Sequence, residues 1–320
     1  MLNDQFNSGD NSMKYKSLIL GAVFLVGSFP FAVSGKDCKP TDPKDTNCTL
    51  HVDKVRPTQF AVGLVAVKCK AEKIEKKNKK KLKKYLEEPK REIPVVIGPD
   101  GNFYMTDHHH LSSALYRANS PKWGKESKKL HLKILDNFYN IKDDTSWGKF
   151  WEEMQQKHRS YNYDNKGIPH MSFDLLPSNV GGLLNDPYRT LSRWVRESCG
   201  YVKAGKTQCD GIRTDHEHKA PFFMEFYWGN FFRENLPLKI KENITVCKSM
   251  PYSATCLDDE VAQLKGIYEQ AMKLAASEKA KEYLENNGLD PWEYGFNPSG
   301  EHLELTWSGS ENACEEVVTQ

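Results

Sequence analysis

The chain has 320 residues, enough for one large domain or two modest ones of roughly 100–200 residues each. Hydrophobic residues make 38% and charged residues 28%, and the many Phe, Tyr and Trp rings can fill a core, which excludes an intrinsically disordered chain. Lys and Arg number 45 against 43 Asp and Glu, a net +2 with no global field for nucleic acid, and a single long apolar run near the N-terminus excludes a polytopic membrane fold.

Met13-Lys14-Tyr15-Lys16 is a short basic start. Ser17 to Val33 is almost wholly apolar or small, and Ala32-Val33-Ser34-Gly35 offers small residues before Lys36. This is the layout of a secretory signal peptide over residues 1–35, with Met13 as an alternative first residue. The competing reading is an uncleaved anchor, but the run is short for a span and carries Pro30 near its end. No lipobox precedes Cys38, so the expected location is secreted or periplasmic. All eight cysteines lie beyond the signal, and an even count in an exported chain suggests disulfides. Cys38/Cys48, Cys199/Cys209 and Cys247/Cys256 are close enough for local loops, leaving Cys69 and Cys314 to pair at long range; this is one of 105 pairings. No CxxC pair occurs, which disfavours a zinc ribbon or a thioredoxin motif.

Residues 36–51 read as an irregular lead-in, and Gln59 to Val67 as a strand or a strand-to-helix turn. Ile74, Leu82, Tyr85 and Leu86 share one face of a lysine-rich amphipathic helix over 71–88, whose lysines are either a solvated face or a contact for an acidic polymer. Ile93 to Ile97, the turn Gly98-Pro99-Asp100-Gly101 and Asn102 to Thr106 read as a hairpin, followed by a helix over 107–118. Leu130 to Leu135 alternates like a strand. Helical patterns follow over 145–158, 187–198, 221–234 and 258–286, with a turn at Gly181 to Asp186 and an irregular tail from Asn287.

The densest chemical signal is the hairpin followed by Asp107-His108-His109-His110. A helix start presents unpaired N–H groups and a partial positive charge, so it attracts phosphate. Asp107 fits an N-cap, and imidazoles there can donate to phosphate or move protons near neutral pH. Three successive histidines do not share a helical face, so at most two point into one site. Purely structural histidines are one alternative. A metal site is another, completed by His216 and His218 beside Asp215 and Glu217. Lys68 follows an apolar segment and either reaches a phosphate or belongs to the solvated lysine run. Asp186-Pro187-Tyr188-Arg189 reads as a capped helix start, with Arg189 as a candidate phosphate ligand. Glu225 lies in an aromatic stretch, where an unpaired carboxylate is costly, so it is a paired structural acid or a general base. The Phe222-to-Phe232 aromatic stripe reads as core rather than a base-stacking surface.

Arg56-Pro57-Thr58-Gln59, Gly63, Lys68, Ile93 to Gly101 and Asp107 to Leu111 resemble the ParB-like nuclease family of the ParB/sulfiredoxin fold superfamily. The resemblance continues through Trp151, Met154, Asp186 to Leu191, Arg196, Glu225, Phe226 and Trp228, and covers about residues 52–235. It implies nucleotide-phosphate binding at the helix start, as in partition proteins with CTP and sulfiredoxin with ATP, and phosphoryl transfer, as in a free-serine kinase. His109 stands where sulfiredoxin carries its reactive Cys, which argues against sulfinic acid repair. Leu111 stands where several relatives carry Arg, so one phosphate ligand is missing, and Arg117, Arg189 and Lys68 are the candidate substitutes. No helix-turn-helix reader is apparent, which disfavours a partition role.

The expectation is an α+β fold: a ParB/sulfiredoxin-like core over 52–140, a mainly helical extension over 141–286 and an irregular tail over 287–320. The expected function is that of an exported phosphoesterase, nuclease or phosphotransferase acting on a nucleotide or other phosphate ester, with nucleic acid a further candidate. Asp107, His109 and His110 are the expected catalytic residues, and Lys68, His108, Arg117 and Arg189 bind phosphate. No resident metal is assigned, although a divalent cation is a candidate assistant. The alternatives are a nucleotide- or phospholigand-binding module without turnover and a disulfide-stapled interaction protein with a relict site.

Overall fold

The expected hairpin forms as its residues dictate. Strands β4 (Ile93–Ile97) and β5 (Phe103–Met105) pair antiparallel. In the turn between them the Gly98 N–H donates to Asn102 O, and Gly101 takes a φ of 77°, which suits a residue without Cβ. This computed structural model describes residues 35–124, 127–139, 146–169, 172–203, 209, 221–238, 255–301, 305–307 and 315–317. The signal peptide, apart from Gly35, falls outside them, as do His216 and His218.

Three further strands complete a mixed sheet: β1 (Asn47–His51), β2 (Val55–Arg56) and β6 (Lys129–Asn137), in the order β1-β6-β4-β5-β2. β6 is antiparallel to β1 and parallel to β4, and β2 is parallel to β5. Side-chain alternation along β4 builds a core on each face. Val95 and Ile97 point into the main core beside Met105, Leu111 and Leu115. Val96 points the other way, with Tyr104, against Phe150 and Met154 of α4 (Ser146–Gln156).

A short parallel pair, β3 (Ala61–Val62) and β7 (Leu184–Asn185), sits at the root of two helices. Helix α1 (Leu64–Glu75) leaves β3, and α5 (Pro187–Glu197) leaves β7. Gly63 makes this approach possible, since a Cβ there would lie 2.5 Å from Thr190 Oγ1. Asp186 starts α5 as the sequence indicates, accepting from the Tyr188 and Arg189 N–H groups at 3.0 and 3.3 Å. Helix α6 (Met224–Asn235) buries Trp228, Phe231 and Phe232, so that part of the aromatic stripe is core.

Several expected elements differ in the structure. The single lysine helix is two, α1 and α2 (Lys79–Leu86), because Asn78 caps a new start by accepting from the Lys81 N–H at 2.9 Å. Leu82 and Leu86 bury while the lysines between them stay outside. The long helix over 258–286 is also two, α7 (Thr255–Ala275) and α8 (Glu278–Asn286), divided at Ser277. The tail carries an antiparallel strand pair, β8 (Leu305–Trp307) with β9 (Glu315–Val317). One core cluster runs from Cys48 to Phe296, so it draws residues from both sides of the boundary expected at 140.

Cys38–Cys48 and Cys199–Cys209 form disulfides, as their spacing suggests. Cys69 is also disulfide-bonded, while its expected partner Cys314 and the Cys247/Cys256 pair lie outside the described side chains. Among the described residues no helix is long and apolar enough to cross a membrane.

Candidate active site

Helix α3 (His109–Arg117) starts at the end of the β4–β5 hairpin and carries the histidine triplet to the rim of a cavity of about 490 Å³. Asp107 is not the helix cap. His108 takes that position in a left-handed conformation, φ 64°, and no side chain caps the helix. The Asp107 carboxylate accepts from the His108 N–H at 2.6 Å instead, one residue short of the helical turn. Burial raises the Asp107 pKa, but His108, Lys203 and that N–H outweigh it and hold the carboxyl below its usual value.

The left-handed residue splits the triplet. His109 turns inward, and its Nε2 accepts from the Thr58 N–H at 3.2 Å. The Thr58 hydroxyl then donates to Met105 O at 2.7 Å, which ties the Arg56–Gln59 segment to β5. His110 Nε2 accepts from the Gly63 N–H at 3.1 Å, at the start of α1. Both rings therefore carry their proton on Nδ1. Burial pushes the His109 pKa down to about 3 and the His110 pKa well below its ordinary value, so both are neutral at pH 7. His108 is the exception. Among the described residues nothing hydrogen-bonds its ring, which lines the cavity. Burial lowers its pKa; Asp107 opposes this and Lys70 and Lys203 add to it.

The opposite wall is basic. Arg189, Arg193 and Arg196 follow at i, i+4 and i+7 along α5 and line the cavity, with Lys203 just beyond. Glu225, at the start of α6, is a buried acid among them. It pairs with Arg196, with Arg189 at 3.5 Å and with Lys203 at 3.7 Å. Burial raises its pKa, yet Lys203, Arg189 and Arg196 together hold it well below the carboxylate range. These partners do not exhaust the cations. Arg189 is 8% exposed, and among the described residues nothing accepts from its Nε or Nη1. Its guanidinium lies 5.2 Å from the Phe226 ring centre. Arg196 Nε is likewise buried and unpartnered.

Lys70 of α1 completes the basic lining, and among the described residues no carboxylate pairs with it. Burial, then Arg193 and Arg196, lower its pKa to about 7. Lys90, from the turn before β4, lines the same cavity.

Of the residues expected from the sequence, Asp107, His108, His109, His110 and Arg189 meet at this cavity. Lys68 does not line it, and its ammonium pairs with Glu72 at 3.0 Å on α1. Nor does Arg117, which reaches away to Ser113 Oγ at 3.2 Å and Gly181 O at 2.9 Å. Lys70, Arg193, Arg196 and Lys203 were not expected there; the Arg189/Arg193/Arg196 helical spacing is a signal that marks two of them. Among the described residues no group of three His, Cys, Asp or Glu is disposed to hold a metal ion.

None of the curated proteins matches this chain. Its structure is similar to the crystal structure of protein Atu1540 from Agrobacterium tumefaciens, with a TM-score of 0.50 and 26% identity over 74% of this chain and 95% of that one. Residues 48–234, more than half of the chain and including the whole described cavity lining, match the family model described as "Putative ParB-like nuclease". The chain belongs to the ParB-like nuclease family.

Proposed function

We propose that the cavity binds a phosphate ester and cleaves it, and that the protein acts outside the cytoplasm. Arg189 carries this reading. A buried guanidinium with two unpartnered donor nitrogens is costly unless an anion completes it, and phosphate oxygens match its planar fork. Lys70, also without a carboxylate partner, adds a point charge to the same cavity. The first turn of α3, uncapped by any side chain, adds N–H donors. The family's nuclease description fits a nucleotide or polynucleotide ester. The Cys38–Cys48 and Cys199–Cys209 disulfides and the bonded Cys69 fit an oxidising compartment.

The chemistry follows from which groups are free to move a proton. His109 and His110 have spent Nε2 on backbone donors and serve to position the site. The proton-transfer role that the sequence suggested for them passes to His108. In its neutral form His108 accepts a proton from water as the water oxygen bonds to phosphorus. The phosphorus–oxygen bond to the leaving group then breaks, and the Lys70 ammonium protonates the departing oxygen. Arg189 holds the nonbridging oxygens as their charge builds. Asp107 fixes the backbone of His108 and moderates the loss of basicity that burial imposes on its ring.

A second reading is a binding module without turnover. Leu111 favours it, because an apolar residue takes a place where several relatives carry Arg, and Glu225 already draws on three of the cavity's cations. Phosphorus NMR on the oxidised protein, with nucleotides and oligonucleotides and with or without Mg²⁺, Mn²⁺ or Zn²⁺, separates the readings. New phosphorus resonances that vanish in His108→Ala and Arg189→Ala are the expected result. Broadening without product leaves the binding module. No response in any sample overturns both and leaves a relict site.

A further inference from the structure

A second pocket, of about 190 Å³, is lined by four aromatic rings, Tyr104, Trp147, Trp151 and Phe173, together with Arg56, Asp100 and Asp174. Trp147 and Trp151 stand one turn apart on α4 with rings inclined by 21° and centres 6.5 Å apart. Tyr104 meets both at nearly right angles, 82° and 84°. Phe173 stacks on Trp151 at 4.2 Å and backs that wall. The result is a box with an open side at Trp147, which is 42% exposed.

The polar groups of the box are arranged to receive a ring. Asp100 accepts from the Tyr104 hydroxyl at 3.1 Å and holds Arg56 at 3.7 Å, so it fixes two walls. The Arg56 guanidinium keeps further donors for a ring nitrogen or carbonyl. Asp174 is exposed at the rim and can accept from an amine or a hydroxyl.

The two pockets are joined by continuous chain. Arg56 and Pro57 line the aromatic box and Gln59 the basic cavity, while Thr58 between them is pinned by His109. Tyr104 lines the box and Thr106, two residues along the same extended segment, lines the cavity. Two residues of strand span about 7 Å. We infer that the Trp147/Trp151/Tyr104 box stacks the nucleobase of the ligand whose phosphate sits at Arg189. The inference rests on the phosphate reading of the cavity and narrows its substrate class to nucleotides.

The test is calorimetric titration of the full oxidised chain with inorganic phosphate, ribose 5-phosphate, nucleoside monophosphates and free nucleosides, alongside choline. Trp147→Ala is the main variant, since its exposed side chain can be removed without opening the core, and Trp147→Phe is the rescue. Nucleotides should bind roughly tenfold more tightly than ribose 5-phosphate, the scale of one base stacked on an aromatic ring. Trp147→Ala should erase that advantage, Trp147→Phe should restore most of it, and neither should change phosphate binding. Equal binding of nucleotides and ribose 5-phosphate, or indifference to Trp147→Ala, overturns the inference while leaving the phosphate site in place. Nucleoside binding at Trp147 without any phosphate binding supports the box and defeats the cavity reading instead. Choline binding that depends on Trp147 and excludes nucleosides makes the box a cation cage and overturns the inference.

Discussion

Two helix starts stand close to the histidine triplet, and they are treated in opposite ways. At α1 the first donors are consumed inside the protein. The Gly63 N–H goes to His110 Nε2 and the Leu64 N–H to Asn185 Oδ1 at 2.9 Å. At α3 the preceding His108 is left-handed, no side chain caps the helix, and the first turn faces the basic cavity. A completed start fixes the fold, and an open one attracts an anion. The same three residues serve both, because one positive-φ residue directs His109 and His110 inward and leaves His108 at the cavity.

The contrast breaks most forcefully at Glu225, the acid shared by Arg189, Arg196 and Lys203 of the basic wall, where Glu197 pairs with Arg193 and Arg196. Glu225→Ala leaves Arg189, Arg196 and Lys203 facing one another without their shared partner. Removing one member of a buried charge network typically costs about 3–5 kcal/mol. Chemical denaturation should show a loss on that scale, and added phosphate should recover part of it by occupying the vacated position. A variant as stable as the parent, with no phosphate response, would show that the wall needs no counter-anion.

The closed side breaks at His109. His109→Ala strands the Thr58 N–H and opens a void, so a loss of about 2–4 kcal/mol in urea denaturation is expected. His109→Gln, which keeps an acceptor, should recover part of it. The pH dependence identifies the same residue. The folded pKa is about 3 against an ordinary 6.5, so between these values the unfolded chain binds a proton that the folded chain does not. The stabilisation is complete above pH 6.5 and is lost as the pH falls toward 3. Within that window the parent should lose about 1.4 kcal/mol per pH unit more than His109→Gln. Parallel curves for the two proteins would mean that His109 is not buried as a neutral ring.

Much of this was legible in the sequence, for identifiable reasons. The hairpin, β6, α5 and α6 follow from β-branched runs, the Gly98–Gly101 turn and helical spacing, all local signals. The two split helices were not legible, because Asn78 and Ser277 sit inside patterns whose apolar spacing continues across them. The candidate cavity was legible through Asp107 to His110 and Arg189, which line it, but the hydrogen bonding that sets the three rings apart was not. Which imidazole is left without a backbone partner depends on a left-handed φ at His108, and on Thr58 and Gly63, which lie 51 and 47 positions from the rings they bind. The β3–β7 pairing that delivers α5 to the cavity joins residues over 120 apart, and no local pattern announces it.

Lys68 and Lys70 sharpen the comparison at its smallest scale. They are two positions apart on α1, so they face different directions. Lys68 meets Glu72 one turn on, a partly exposed pair of the kind worth about 0.2–0.5 kcal/mol. Lys70 lines the cavity, where burial first and then the pressure of Arg193 and Arg196 lower its pKa to about 7. An arriving phosphate reverses that pressure, so binding should draw a proton onto Lys70 near neutral pH. Calorimetry in buffers of different ionisation enthalpy reads that uptake directly. The parent and Lys68→Ala should take up the same fraction of a proton and bind phosphate equally well. Lys70→Met should lose the Lys70 share of the uptake and roughly tenfold in affinity, the scale of one charge-assisted hydrogen bond. Equal losses from both variants would reduce the lysines to a diffuse positive field and remove Lys70 as a proton donor to the leaving group.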